Sequence, residues 1–184
     1  MTGDFTLSSS PNAPGVQISV SFHGIPDPSL YGPFVYHIHA IAVPADGNCT
    51  STMGHLDPTN RGEYFPCDPA LPQTCQVGDL AGKYGNITAA GDFTAAYTDA
   101  FLSTDSSSES FVGGKSIVIH TSNATRITCA NIVMAGGNAT TSSGTANGTV
   151  PANPTYSGPV QTGGAGSATY GGLAVAAGLL AWVL

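Results

Sequence analysis

Short runs of β-branched and aromatic residues, each bounded by turn residues, constrain the fold of this 184-residue chain more than any other feature. Three such runs cover residues 16–22, 34–41 and 116–121, and turn sequences rich in Pro, Gly and Asp separate them, as at 26–28 and 113–114. Between residues 1 and 135 no ten-residue stretch shows a clean helical period. The pattern predicts an all-β fold, a Greek-key β-sandwich or barrel with immunoglobulin-like architecture.

The composition divides the chain into three parts, of which residues 1–135 are expected to form the folded domain. Residues 136–172 carry no charge and consist mostly of Gly, Ala, Ser, Thr, Asn and Pro. Such a segment buries too little apolar area to offset its chain entropy, so we expect a disordered, flexible stalk.

Residues 173–184 (LAVAAGLLAWVL) are uncharged and apolar. They are too few to span a bilayer, which needs about 20 residues. Together with the small residues at 163–167 and a short spacer, they predict a signal for attachment of a glycosylphosphatidylinositol (GPI) lipid anchor. The chain would then be held at a membrane or cell wall. A buried C-terminal strand or helix is the alternative.

The charge balance excludes one class of partner. The net charge is −7, and only four residues are Lys or Arg. Nucleic-acid binding depends on clusters of cations that neutralise phosphates. We therefore expect no nucleic-acid partner, and we expect the protein to be a monomer.

Four cysteines, Cys49, Cys67, Cys75 and Cys129, indicate an oxidising compartment and two disulfides. The even count leaves three pairings open. A zinc site built from all four thiolates is less favoured, because such sites use closely spaced cysteine pairs and this chain has none.

Glycosylation sequons also favour an extracellular location. Residues 1–10 have neither the basic nor the apolar region of a signal peptide, so we expect the natural start, with its signal, to be missing from this sequence. The five candidate glycosylation sites are Asn48, Asn86, Asn123, Asn138 and Asn147.

The histidines show the spacing of a metal site. His37 and His39 lie in a strand-like run, where alternation places both side chains on one face. His55 lies in a turn-like loop, and His120 ends another strand-like run. Several imidazoles without a cysteine ligand suit copper or zinc. His23 fits no further pattern and is expected at a surface or strand end.

From about residue 5 to residue 133, the order and spacing of these residues resemble the copper/zinc superoxide dismutase family. The residues that carry the resemblance are, in chain order, His37, His39, Cys49, His55, His120, Arg126 and Cys129.

The resemblance assigns a role to each of these positions. It implies that Cys49 pairs with Cys129, which leaves Cys67 and Cys75 to form the second disulfide. Arg126 matches the arginine that guides the superoxide anion to the metal. One copper ion is implied, with four ligands: His37, His39, His55 and His120.

Two departures from the family pattern stand out. No histidine lies between His55 and His120, so Asp79 alone matches the family's further zinc ligands, and we expect no zinc. Only residues 121–125 separate His120 from Arg126, where the family has a long loop that walls the copper channel. An open copper site without zinc, with an anchor signal, resembles the fungal cell-surface copper-only superoxide dismutases.

That group usually carries a glutamate three residues before the aspartate, where this chain has Gln76. A neutral amide accepts a hydrogen bond from the bridging-type His55 less strongly than a carboxylate does. We therefore expect Asp79 to accept from the far nitrogen of His55 and to act in catalysis with His55 and Arg126. We also expect Lys83 to help Arg126 attract superoxide.

The resemblance thus implies an extracellular copper-only superoxide dismutase. Its copper would alternate between two oxidation states and convert superoxide to O2 and H2O2. One alternative is a cell-surface copper-binding protein with little or no turnover. Gln76 favours it, and it predicts that Gln76→Glu raises the rate. The other alternative is a structural or adhesive cell-wall sandwich that no longer binds metal.

Overall fold

The computed structural model describes residues 1–11 and 14–133. The expected stalk (136–172), the expected anchor signal (173–184) and the sequons at Asn138 and Asn147 lie outside the described residues. Within the described part, no helix is long and apolar enough to cross a membrane.

Six strands form two antiparallel three-stranded sheets in the described part of the chain. One sheet has the order β1-β2-β4 and the other β3-β5-β6, so the chain crosses between the sheets three times. This arrangement confirms the all-β sandwich that the sequence predicts. The strands are β1 (Thr2–Ser9), β2 (Val16–Ile25), β3 (Val35–His39), β4 (Gly91–Asp99), β5 (Ser116–His120) and β6 (Arg126–Asn131).

Helical structure is short and lies in the connections. Helices α1 (Pro28–Tyr31) and α2 (Leu80–Tyr84) each span about one turn. Two 3-10 turns, Cys49–Thr52 and Pro72–Thr74, lie in the long connection between β3 and β4.

Period-two burial places the core between the sheets. In β2, Val16, Ile18 and Val20 are buried while the intervening side chains are exposed, as expected for a sheet with one solvated face. They join one core cluster with residues of the other sheet, including Tyr36 and Ile38. The middle strand β5 is buried at all five positions.

Three backbone hydrogen bonds join β3 and two segments of the β3–β4 connection to one another. Ile38 N donates to Gly78 O (2.9 Å), Leu56 N donates to Ile38 O (2.8 Å), and Gly78 N donates to Leu56 O (2.7 Å). We call Ile38, Leu56 and Gly78 the three-segment junction. All three residues are buried, so these bonds lie away from solvent.

Position 78 of the junction requires glycine because the backbones approach closely there. A Cβ atom at Gly78 would lie 2.3 Å from Ile38 O and 2.9 Å from Leu56 N. Backbone atoms cannot move aside as a flexible side chain can, so any larger residue would push the three segments apart.

We predict that Gly78→Ala lowers the free energy of unfolding by about 1–3 kcal/mol, the range for overpacked sites, in denaturant unfolding of the metal-free protein. Gly54→Ala is the matched control, because a Cβ there meets nothing within 4 Å. It should change stability by less than about 0.5 kcal/mol. Equal stability of the two variants would contradict the close approach at Gly78.

Candidate metal centre

The fold brings together the four histidines that the sequence analysis singled out. His37 and His39 project from one face of β3, His120 ends β5, and a bridge between His39 and His55 joins the loop to the strand. One ligand nitrogen from each ring lies within 4.8 Å of the other three. Among residues 1–11 and 14–133 this is the one group with such geometry. His23 lies apart on β2, exposed beside Asp92.

The hydrogen bonds of three rings decide which nitrogen faces the centre. His39 Nδ1 lies 2.8 Å from Met53 O, and His120 Nδ1 lies 3.2 Å from Ala124 O. A carbonyl oxygen can only accept, so both Nδ1 atoms carry the proton and both Nε2 atoms keep a lone pair. His55 follows the same pattern, with its Nδ1 against Gln76 Oε1.

His37 differs from the other three rings, because its free nitrogen is Nδ1 and not Nε2. Its Nδ1 is buried without a hydrogen-bond partner, and it is the one such side-chain atom in the described part of the chain. Its Nε2 faces Asp79 Oδ1 at 3.5 Å. A buried polar atom without a partner is costly, but the cost disappears if the lone pair binds a metal ion.

The distance between two of the rings supports the same reading. His39 Nε2 and His120 Nε2 are 3.0 Å apart, although the carbonyls behind both rings leave each Nε2 with a lone pair. Two lone pairs this close repel unless a cation lies between them. The donor set is all imidazole nitrogen and therefore fits copper or zinc.

The buried position keeps these imidazoles neutral. Burial lowers the pKa of His37 to about 2, and repulsion from the other three rings adds to the effect. Burial also lowers the pKa of His39 to about 3, although the hydrogen bond that His39 donates to Met53 O acts in the opposite direction. The pKa of His120 is lowered mainly by burial as well. A metal ion binds the neutral ring. At neutral pH, His37, His39 and His120 can therefore bind a metal without first losing a proton.

Arg126 is fixed at the edge of the centre. Its guanidinium donates to Cys49 O (2.6 Å), Thr50 O (2.9 Å) and Thr52 Oγ1 (3.0 Å), and also to Met53 O. All four acceptors belong to the 3-10 turn after β3 or the residue that follows it. The cation is therefore held in one place rather than extended into solvent.

A disulfide connects the same two segments, since Cys49 pairs with Cys129, three residues beyond Arg126. The charge of Arg126 also acts on the rings, where it disfavours protonation of His39 and His120. The arginine is thus close enough to place positive charge beside any metal that the histidines hold.

The second disulfide joins Cys67 to Cys75. Both pairings are the ones that the family resemblance implies. No free cysteine remains, which excludes the four-thiolate zinc site. Three of the expected glycosylation sites are exposed side chains in the described part of the chain: Asn48, Asn86 and Asn123.

Asp79 does not take the position expected from the sequence. Its carboxylate caps α2 by accepting from Gly82 N (2.7 Å), and it faces His37 rather than His55. The partner of His55 Nδ1 is Gln76. The expected His55–Asp79 contact is therefore wrong, because the N-cap geometry of α2 turns the carboxylate toward β3.

Lys83 also differs from expectation. Its side chain is fully buried, where it donates to Val77 O (2.8 Å) and pairs with the equally buried Asp99. Burial lowers the pKa of Lys83 and the Asp99 carboxylate opposes that shift. Because Asp99 balances the charge of Lys83 and both side chains are buried, Lys83 cannot help Arg126 attract an anion from solvent.

Asp57 is a residue of the site that sequence reasoning missed. Its Oδ2 accepts from Gln76 Nε2 (3.3 Å) and from Gly62 N (2.8 Å). Burial raises the pKa of Asp57, but the hydrogen bonds that it accepts outweigh burial and lower that pKa below its usual value. The Asp-Pro turn signal at 57–58 indicates a capping aspartate, but it gives no sign of a contact 19 residues along the chain.

The low histidine pKa values predict how stability depends on pH. An unfolded histidine titrates near 6.5, so below that pH the unfolded chain holds protons that His37 and His39 exclude when folded. The free energy of unfolding of the metal-free protein should therefore fall as pH falls from about 6.5 toward 3. The slope is about 1.4 kcal/mol per pH unit for each such histidine.

Denaturant unfolding at pH 7.5, 6 and 5 measures this slope. His37→Gln should reduce it, because the variant lacks one of the histidines whose pKa the folded state lowers. An equal slope in the variant and the unmodified protein would contradict the buried, neutral state of His37.

Comparison with known proteins agrees with this geometry. Residues 1–148 match the family described as copper/zinc superoxide dismutase (SODC). The "Cell surface Cu-only superoxide dismutase" of Arthroderma benhamiae is 48% identical over 102 residues, which are 54% of this chain and 27% of that protein. The "Cell surface Cu-only superoxide dismutase 5" of Candida albicans is 44% identical over 119 residues, 65% of this chain and 49% of that protein. The chain thus spans half or less of the length of these relatives.

Solved structures of Candida albicans superoxide dismutase 5 share the fold. The Cu(II) form matches with a TM-score of 0.61 and 38% identity, over 71% of this chain and 88% of that one. A glutamate-to-glutamine mutant of the same protein matches with a TM-score of 0.61 and 42% identity, over 70% of this chain and 79% of that one. The family match covers most of the chain, including all four histidines and both disulfides, and the chain belongs to the copper/zinc superoxide dismutase family.

Proposed function

We propose that this protein is an extracellular copper-only superoxide dismutase, which converts superoxide to O2 and H2O2 at one copper ion per chain. One observation carries the proposal: four buried or half-buried imidazoles each bring one nitrogen within 4.8 Å of the other three. Copper would be held by His37 Nδ1 and by the Nε2 atoms of His39, His55 and His120. The names of the relatives support copper as the metal.

Copper bound at this site would supply the one-electron oxidation and reduction that dismutation requires. The chain's own residues have two further tasks. Arg126 places a fixed positive charge beside the ligands in a protein of net charge −7, so a superoxide anion is drawn to this spot. His55 is the most exposed of the four rings, and we propose that its Nε2, when it is not bound to copper, takes up a proton and passes it to the product.

The surroundings of His55 favour copper alone over a copper–zinc pair. A bridging histidine needs a lone pair on both nitrogens, but Nδ1 of His55 is bonded to Gln76. In the described part of the chain, Asp79 is the carboxylate that lies within 4 Å of a ligand ring, and its other interaction is the cap of α2. A zinc ion needs about four ligands, and these groups do not supply them.

A second candidate function is capture of extracellular copper with little or no turnover. Gln76 favours it, because a neutral amide behind His55 raises the basicity of the ring less than a carboxylate would. The two candidates share the ligands and differ in rate, so an assay of copper-loaded protein separates them.

We further propose that the protein acts at the cell surface as a monomer, with a GPI anchor whose attachment is directed by the apolar segment 173–184. The cell-surface location in the names of the relatives supports this placement. The two disulfides and the exposed side chains of Asn48, Asn86 and Asn123 are compatible with an extracellular, glycosylated protein.

Metal analysis and a superoxide assay test the copper centre. Protein offered copper and zinc together should retain one copper per chain and no zinc, and should dismutate superoxide. His120→Ala should lose most copper and activity, because it removes one of four ligands. His23→Ala, which changes an exposed histidine outside the centre, should behave as the unmodified protein does. Unchanged dismutation by His120→Ala would refute the assignment, and tight copper binding without dismutation in the unmodified protein would favour the capture function.

The role of Arg126 predicts a change in encounter rate. Arg126→Gln should lower kcat/KM about tenfold or more, the range by which steering raises on-rates, and should weaken its dependence on ionic strength. Lys115→Gln makes the same change in net charge at a cation that donates to Ala40 O and not to the 3-10 turn that holds Arg126. An equal loss of kcat/KM in both variants would show that overall charge matters and the position of Arg126 does not.

A further inference from the structure

The centre holds its rings in two different ways. His39 and His120 donate to backbone carbonyls, of Met53 and Ala124, and a carbonyl can only accept. His55 donates to the side-chain amide of Gln76, which could present either its oxygen or its NH2 group after a half-turn. With NH2 toward the ring, Nδ1 of His55 would have to accept and the proton would move to Nε2. That tautomer has no lone pair on Nε2, the nitrogen that faces the metal.

Asp57 determines which way the amide faces. Its Oδ2 lies 3.3 Å from one end of the Gln76 amide. A carboxylate oxygen can only accept, so that end must be NH2 and the other end must be the oxygen that faces His55. The sequence of donors and acceptors therefore runs from His55 Nδ1–H to Gln76 Oε1, and from Gln76 Nε2–H to Asp57 Oδ2.

Asp57 is itself held in place. Its Oδ1 accepts from Arg61 N and the Thr59 hydroxyl, both at 3.1 Å, and Oδ2 accepts from Gly62 N at 2.8 Å. The backbone bond between Leu56 and Gly78 keeps its segment beside that of Gln76. The carboxylate thus has a fixed position from which to orient the amide.

We propose that Asp57 is a positioning residue of the metal centre, which orients the Gln76 amide so that His55 keeps its proton on Nδ1 and presents Nε2 to the metal. This inference rests on the copper centre proposed above. It makes Asp57 and Gln76 one unit, in which an acceptor at position 57 requires a donor at position 76.

A test follows from exchanging the acceptor at position 57 and the donor at position 76. In Gln76→Glu, a carboxylate faces Asp57 and the two repel. In the double variant Asp57→Asn/Gln76→Glu, the amide at position 57 can donate to the carboxylate at position 76, which still accepts from His55. Asp57→Asn should therefore be harmful with glutamine at position 76 and beneficial with glutamate there. Gln76→Glu alone, which the sequence predicts to raise turnover under the capture function, leaves Asp57 without its donor.

The first experiment needs no metal. Imidazole ¹⁵N NMR of the metal-free full chain should show His55 protonated at Nδ1. Asp57→Asn should shift that proton substantially to Nε2. Thr59→Val is the matched control, because it removes a hydrogen bond from the same carboxylate without touching Gln76, and it should keep the Nδ1 proton. An unchanged His55 tautomer in Asp57→Asn would overturn the proposal.

The second experiment measures Cu(II) affinity by competition with a chelator. Asp57→Asn should weaken binding about 10- to 100-fold, as loss of an outer-sphere partner does, and the same change should strengthen binding in the Gln76→Glu background. A change in the same direction in both backgrounds, or none in either, would overturn the proposal. Failure of the unmodified protein to bind Cu(II) would instead refute the proposed function, and the tautomer measurement would still decide the role of Asp57.

Discussion

The hydrogen bonds among Ile38, Leu56 and Gly78 are the constraint on which the metal centre depends. All three residues are buried. The polar residues beside them in the chain are ligands of the centre, or contact a ligand, as Asp79 does, or contact Gln76 behind a ligand, as Asp57 does. Because the bonds are backbone to backbone, the spacing of the segments does not depend on any flexible side chain. The polar residues that the junction positions in this way are His37, His39, His55, Asp57 and Asp79.

Two kinds of interaction then act on the rings so positioned. Acceptors behind them, such as Met53 O and Ala124 O, fix the proton on the far nitrogen, while burial keeps the rings neutral. The rings are therefore left with lone pairs that accept no hydrogen bond from the protein. His37 Nδ1, which is buried without a hydrogen-bond partner, is the clearest example. This arrangement costs free energy in the metal-free protein, and a bound cation removes that cost. Affinity for metal and neutrality of the ligands therefore have the same origin.

The sequence was sufficient for the parts of the fold that local pattern controls. Runs at 16–22, 34–41 and 116–121 correspond to β2, β3 and β5. Burial alternates with period two in β2, whereas β3 and β5 are buried at almost every position and appear in the sequence as short continuous runs rich in β-branched residues. Strands β1, β4 and β6 were not singled out. In β4 the inward apolar side chains, Phe93, Ala95 and Tyr97, are only partly buried. The ligand set followed from family resemblance, and the geometry now brings its four rings together.

The sequence analysis could not predict long-range side-chain contacts. Lys83 pairs with Asp99 in the core, and Asp79 caps α2, because packing of that helix decides which of its neighbours face solvent. The Asp57–Gln76 contact has no local signature either.

The most direct test of the whole account is electron paramagnetic resonance of Cu(II)-loaded protein labelled with ¹⁵N-histidine. The account predicts one copper per chain coupled to four imidazole nitrogens, whereas coupling to two or fewer would contradict it.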